Sequence, residues 1–171
     1  MKKNLLPFLF LFVSTAIFAQ VPVNDDCDGV IDLGTIPLCP DTVWYSNVDA
    51  TESNIGIDNF PAGCEGGDFS FVGNDVWFMF FTNDTLIDIN IEVTGINDPM
   101  GSTPMSNPQV ALYRGDCSFD NLSLVACARS GDGENIIDLN VVGLDPNTPY
   151  FIRVNDWSNT ATPNWGSFQL C

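Results

Sequence analysis

The chain has 171 residues, 22 of them acidic and only five basic, for a formal net charge of −17. Such a field repels nucleic acid and anionic membrane surfaces, which makes both poor partners, while its hard carboxylate oxygens suit divalent cations. Apolar residues at 45%, thirteen Phe among them, supply ample material for a core, so disorder is excluded as well.

The first elements in chain order form an export leader. Lys2 and Lys3 make a basic start, Leu5 to Phe12 an apolar stretch, and Ser14 to Ala19 a small-residue approach to a cut after Ala19 or Gln20. The apolar stretch is too short for the roughly 20-residue helix that spans a bilayer, so the protein is expected to be exported without membrane insertion. No Cys follows the cut, which argues against a lipid anchor. Residues 1–19 are thus read as a signal peptide and 20–171 as a single domain. Both lysines leave with the leader, which takes the formal charge from −17 to −19.

Beyond the leader the periodicity is that of strands. A strand fits at Thr42–Val48, and Asp75–Phe81 is apolar on both faces, as a strand covered on both sides must be. Ile87, Ile89, Ile91 and Val93 alternate with Asp88, Asn90 and Glu92, the period of two of a half-buried strand. Further strands fit at Gln109–Arg114 and Leu122–Ala128. Ile137, Leu139 and Val141 repeat the alternation, as do Tyr150, Ile152 and Val154, and a last strand fits at Trp165–Cys171. Turn signals separate these runs at Asn83-Asp84, Gly95 to Pro99, Gly131-Asp132-Gly133 and Asp145-Pro146-Asn147. About nine short strands without a helical period predict an all-β fold, an antiparallel two-sheet sandwich of jelly-roll type.

All six cysteines lie beyond the leader, and an even count in an oxidising compartment predicts three disulfides. Cys117 and Cys127 flank a short turn-rich stretch and are expected to pair locally. Cys27 and Cys171 bracket the mature chain and are expected to tie its terminal strands together. Cys39–Cys64 is the remaining pair. A zinc site is excluded, since the chain has no His and no C-x-x-C pair.

Catalysis has little to work with. Without His there is no usual general base for a Ser or Cys nucleophile, and without Lys in the mature chain Schiff-base chemistry is excluded. The same-face carboxylates Asp88 and Glu92 stand about 13 Å apart along a strand, beyond the roughly 5–9.5 Å that glycoside hydrolysis requires. The chain is therefore expected not to be an enzyme. Asp132 and Glu134, in the glycine-rich stretch Ser130 to Asn135, are candidate calcium ligands, with Asp25 and Asp26 a second carboxylate cluster. Trp157 and Trp165 lie in otherwise polar surroundings and are candidate stacking faces for a glycan; the alternative is that Trp165 begins the last strand and Trp157 covers the open end of the core. Trp44 and Trp77 read as core residues. Arg153 stands between Ile152 and Val154 and points to the opposite face, where an acid such as Asp138 is its expected partner.

Several short motifs occur in a fixed order: Asn24-Asp25-Asp26-Cys27, Asp75-Val76-Trp77-Phe78, Leu112-Tyr113-Arg114-Gly115-Asp116-Cys117, Tyr150-Phe151-Ile152-Arg153-Val154 and Gly166-Ser167-Phe168-Gln169-Leu170-Cys171. Their layout resembles a β-sandwich module of secreted Bacteroidota-type proteins and is similar to pre-peptidase C-terminal and CUB-like domains. The resemblance implies a jelly-roll-like sandwich, a loop-end calcium in the CUB-like case, and a non-catalytic role in adhesion or in binding an extracellular glycan or surface protein. Modules of this layout usually continue into further domains. The alternative expectation is therefore an N-terminal accessory domain of a larger secreted hydrolase, of which the chain is a fragment.

Overall fold

A computed structural model describes residues 21–35, 43–53, 73–85, 87–99, 102–118, 121–157 and 164–171. Its strands are β1 (Ile31–Thr35), β2 (Tyr45–Ser46), β3 (Val76–Phe81), β4 (Ile89–Gly95), β5 (Pro108–Arg114), β6 (Ser123–Arg129), β7 (Ile136–Val141), β8 (Pro149–Asp156) and β9 (Ser167–Leu170). They form a five-stranded sheet in the order β1-β3-β8-β5-β6 and a four-stranded sheet in the order β2-β9-β4-β7. The chain is all-β, as its periodicity predicts; the only helical piece among the described residues is a 3-10 turn at Cys27–Gly29. One strand escaped the sequence pattern. β1 is short, carries Gly34, and pairs parallel with β3, whereas the other strand pairings are antiparallel. Among the described residues no helix is long and apolar enough to cross a membrane.

Alternation along each strand drives the layering. Phe78, Phe80, Leu112, Ile152 and Val154 leave the five-stranded sheet toward Ile91, Val93, Leu139 and Phe168 of the other, and all are buried. Rings from both layers interlock: Tyr45 lies 4.7 Å edge-on from Phe78 and 5.9 Å from Phe168. Such burial supplies the main favourable term, at about 25 cal/mol per Å² of apolar area removed from water. Met105 closes one end of this core and is fully buried. Gly95 and Gly166 make room for it, because a Cβ on either would collide with the Met105 backbone.

A second, smaller cluster covers the outer face of the five-stranded sheet. Trp77, Ala111, Tyr113 and Phe151 point away from the main core and are buried with Cys27. The 3-10 turn and the residues before it lie over this face, where Trp77 donates its backbone N–H to the Asn24 carbonyl at 2.8 Å and Asn24 Nδ2 donates back to the Trp77 carbonyl at 2.9 Å.

The disulfide pattern corrects two expectations. Cys27 is bonded to Cys117, 90 residues away in sequence, so neither Cys27–Cys171 nor Cys117–Cys127 forms. Register explains the second: Cys127 sits opposite Ala111 within the β5–β6 pair, whereas Cys117 lies six residues further on in sequence, beyond the end of β5 at Arg114. Layering explains the first, since Cys27 lies outside the five-stranded sheet while Cys171 follows β9 in the other sheet. Cys127 and Cys171 are disulfide-bonded as well. The predicted Cys39–Cys64 pair lies outside the described residues, as does the expected leader at 1–19.

Candidate functional site

The two expected stacking residues occupy different environments. Trp157 immediately follows β8, and its backbone N–H donates to the Asn107 carbonyl at 2.9 Å. Its indole N–H donates to the Ser130 carbonyl at 3.1 Å, and the Arg129 guanidinium caps the ring at 4.4 Å from its centroid. Only 6% of Trp157 is exposed. The expectation that it offers a stacking face is therefore corrected: it is a plug, and its indole N–H is spent on holding the β6–β7 turn. Trp165, two residues before β9, is 50% exposed and offers a ring to solvent. Residues 158–163 of the same loop lie outside the described residues.

Asp156 anchors this end of the molecule from below. Its carboxylate is buried and accepts the backbone N–H groups of Ser106 at 2.8 Å and Asn107 at 3.1 Å. Burial pushes its pKa up from the usual aspartate value, against the pull of the Ser106, Asn107 and Asn164 hydrogen bonds. Asn107 Oδ1 in turn accepts the Gly133 N–H at 2.6 Å. The stretch 105–107 is thus clamped to β8 on one side and to the β6–β7 turn on the other.

The candidate calcium loop is built as a turn. Glu134 Oε2 accepts the Gly131 N–H at 3.0 Å, and the Glu134 N–H donates to the Gly131 carbonyl at 3.1 Å. Both Asp132 and Glu134 are exposed. Among the described residues no three acidic or cysteine side chains gather as a metal site would require. Asp25, from the second acidic cluster, is committed to Thr51: its carboxylate accepts the Thr51 N–H at 2.5 Å and hydroxyl at 2.7 Å.

The outer face of the five-stranded sheet holds a charged pair that sequence reading assigned differently. Arg153 Nε lies 3.1 Å from Asp75 Oδ2, with both side chains almost fully buried. Asp138 is not its partner, because β8 is flanked by β3 and β5 while β7 belongs to the other sheet. Asp75 also accepts the Trp77 indole N–H at 2.8 Å and the Ser53 backbone N–H at 2.9 Å, and the Ser53 hydroxyl donates to the same carboxylate. Tyr113 adjoins this group, and burial raises its phenol pKa. These donors and the Arg153 guanidinium satisfy a carboxylate that burial has taken out of bulk water. The pattern Asp-x-Trp at 75–77 was visible in the sequence, but nothing local said that its carboxylate would be buried.

The outer face of the four-stranded sheet is different in kind. Asn90 donates through Nδ2 to Asn140 Oδ1 at 3.1 Å and to Asp138 Oδ1 at 3.3 Å, and the Thr94 hydroxyl donates to Glu92 at 3.0 Å. Asn90, Asp138 and Asn140 are exposed. Trp44, read from sequence as core, precedes the two-residue edge strand β2 and is 39% exposed, so that expectation is corrected. Trp77, the other expected core tryptophan, is fully buried.

Compared with known proteins, the chain matches no family model, no curated protein and no solved structure.

Proposed function

We propose that this chain is an exported, non-catalytic binding module whose ligand is an extracellular glycan, engaged at the Trp165 end of the four-stranded sheet. The observation that carries this reading is the half-exposed Trp165 ring on a backbone held in place by Asn47 and Asn164. The Gly166 N–H donates to Asn47 Oδ1 at 2.7 Å, and Asn164 Nδ2 donates to the Trp157 carbonyl at 3.2 Å. An aromatic face on a hydrogen-bonded backbone has less conformational entropy to lose when a sugar C–H face stacks on it. The absence of His from the sequence supports a role without general-base catalysis. The leader at 1–19 supports export, and the order of the motifs, which resembles that of secreted sandwich modules, supports a binding role.

A glycan array probed with the mature exported protein tests this. Wild type and Trp157→Phe are expected to bind the same glycans, while Trp165→Ala loses the signal at unchanged melting temperature. An array with no binder, together with capture of a specific surface protein that Trp165→Ala does not affect, would sink the glycan reading.

A further inference from the structure

The pairing of β2 with β9 supplies the same surface with a second aromatic. Tyr45 packs inward against Phe78 and Phe168, so its neighbours Trp44 and Ser46 leave on the opposite face. Tyr45 opposes Phe168 and Ser46 opposes Ser167. One further step of this antiparallel register sets Trp44 beside Gln169. In the other direction the Asn47 N–H donates to the Gly166 carbonyl at 3.3 Å, which carries the pairing on toward Trp165. By the same alternation Trp165 shares the side of Ser167 and Gln169, where Ser167 itself is buried with its hydroxyl donating to the Ile96 and Thr103 carbonyls and Gln169 is half-buried. The two half-exposed tryptophans of the described chain therefore lie along one face of one strand pair. Trp77 and Trp157 both bury their rings and donate their indole N–H groups internally.

Four residues separate the Trp44 and Trp165 rows, about 13 Å along the strand. That is too far for one sugar ring to touch both and suits a chain of several. Across the rest of the sheet the Asn90, Asp138 and Asn140 side chains offer amide and carboxylate groups at the surface. Charge selects the kind of chain. Arg114, Arg129 and Arg153, the only basic side chains beyond the leader, all belong to β5, β6 and β8 of the five-stranded sheet. The four-stranded sheet carries Glu92 and Asp138 with no cation of its own. An anionic polymer meets only repulsion there.

We propose that the outer face of β2, β9, β4 and β7 is an extended site for a linear, neutral polysaccharide, with Trp44 and Trp165 as its two stacking platforms. This inference rests on the glycan-binding reading above and adds to it the second platform, the length of the ligand and its lack of charge.

Calorimetric titration of the mature protein with neutral cello-, xylo- and chito-oligosaccharides, as disaccharides and as hexasaccharides, tests it. Wild type is expected to hold the hexasaccharide more tightly than the disaccharide. Trp44→Ala should lower hexasaccharide affinity about tenfold, remove the length dependence and leave disaccharide affinity unchanged, whereas Trp44→Phe should keep most of it. If Trp44→Ala fails to fold, hydroxyl-radical footprinting of wild type replaces it, with Trp44 expected to be protected by the hexasaccharide. Unchanged affinity in folded Trp44→Ala, or an unprotected Trp44, alongside loss of binding in Trp165→Ala, would overturn the second platform and leave the glycan reading standing. Tighter binding of uronic-acid oligosaccharides would overturn the charge selection. Failure of every oligosaccharide to bind wild type would remove both readings together.

Discussion

The two outer faces of this sandwich are made from the same kind of strand yet face opposite fates. The outer face of the five-stranded sheet carries Trp77, Tyr113, Phe151 and the Arg153–Asp75 pair, and the segment around Asn24 to Gly29 lies over it, fastened by the Cys27–Cys117 disulfide. The outer face of the four-stranded sheet carries exposed amides and carboxylates, and Trp44 and Trp165, just before its strands β2 and β9, are exposed as well. A tryptophan is a packed structural residue in the first setting and stands partly in solvent in the second. The difference lies in whether another part of the chain supplies partners for the indole N–H and for the charge beside it.

The sharpest way to break that contrast is to remove Asp75. Arg153 would then keep a buried charge without its counter-ion, and Asp75→Ala is expected to cost about 3–5 kcal/mol in denaturant unfolding. A loss below about 1 kcal/mol would mean that water reaches this face and that the contrast is one of degree. Next in size is the clasp. Replacing Cys27 and Cys117 together by Ser frees a loop of 90 residues in the unfolded chain and should cost about 2–4 kcal/mol, read from the denaturation midpoint. The same double variant should leave the proposed glycan binding on the other sheet unchanged, and a parallel loss of binding would show that the two faces are coupled.

Asp156 gives a smaller and pH-dependent effect. Its pKa is raised in the folded state by burial. The native protein therefore holds the proton more tightly than the unfolded chain, and stability falls as pH rises from the ordinary aspartate value through the raised one. Asp156→Asn cannot titrate, so its stability profile should lack that descending limb whatever its overall cost, and parallel profiles for the two proteins would contradict the assignment. The smallest expected effect is that of Trp165→Ala on folding, within about 0.5 kcal/mol in thermal or denaturant unfolding, because the side chain removed is half in solvent. A large destabilisation there would turn Trp165 into a packing residue and close the comparison from the other side.

Much of the fold was legible in local pattern. The alternation of Ile89, Ile91 and Val93 with Asn90 and Glu92 is the alternation of β4, and the doubly apolar run at 76–81 is covered on both faces at Val76, Trp77 and Phe78, with Met79 half-buried and Phe81 exposed at its end. β1 was missed because a five-residue edge strand containing Gly34 has too little periodicity to read. At the candidate site Trp157 and Trp165 are alike in local sequence, each readable as a stacking face or as part of the core end, and only the fold separates them, while Trp44, read as core, is exposed. Trp44 resembles a strand residue next to Val43 and Tyr45, but β2 is only two residues long and lies at the sheet edge. Trp157 resembles a loop residue, but Arg129 and the Ser130 carbonyl, brought close by the fold, bury it.

What the sequence determined by itself was the strand-forming alternation and the class of fold, because a period of two needs only neighbouring residues to express it. Which cysteine meets which, which carboxylate Arg153 finds, and which tryptophans stay in water were decided by the tertiary structure alone. Each depends on sheet membership and register, since a residue's partner is whatever the neighbouring strand sets opposite it. Ala111 rather than Cys117 stands across from Cys127, and Trp77 rather than an acid of the other sheet stands across from Arg153, with Asp75 two residues along the same strand face. No local pattern carries that information, because register is a relation between segments that can lie many tens of residues apart.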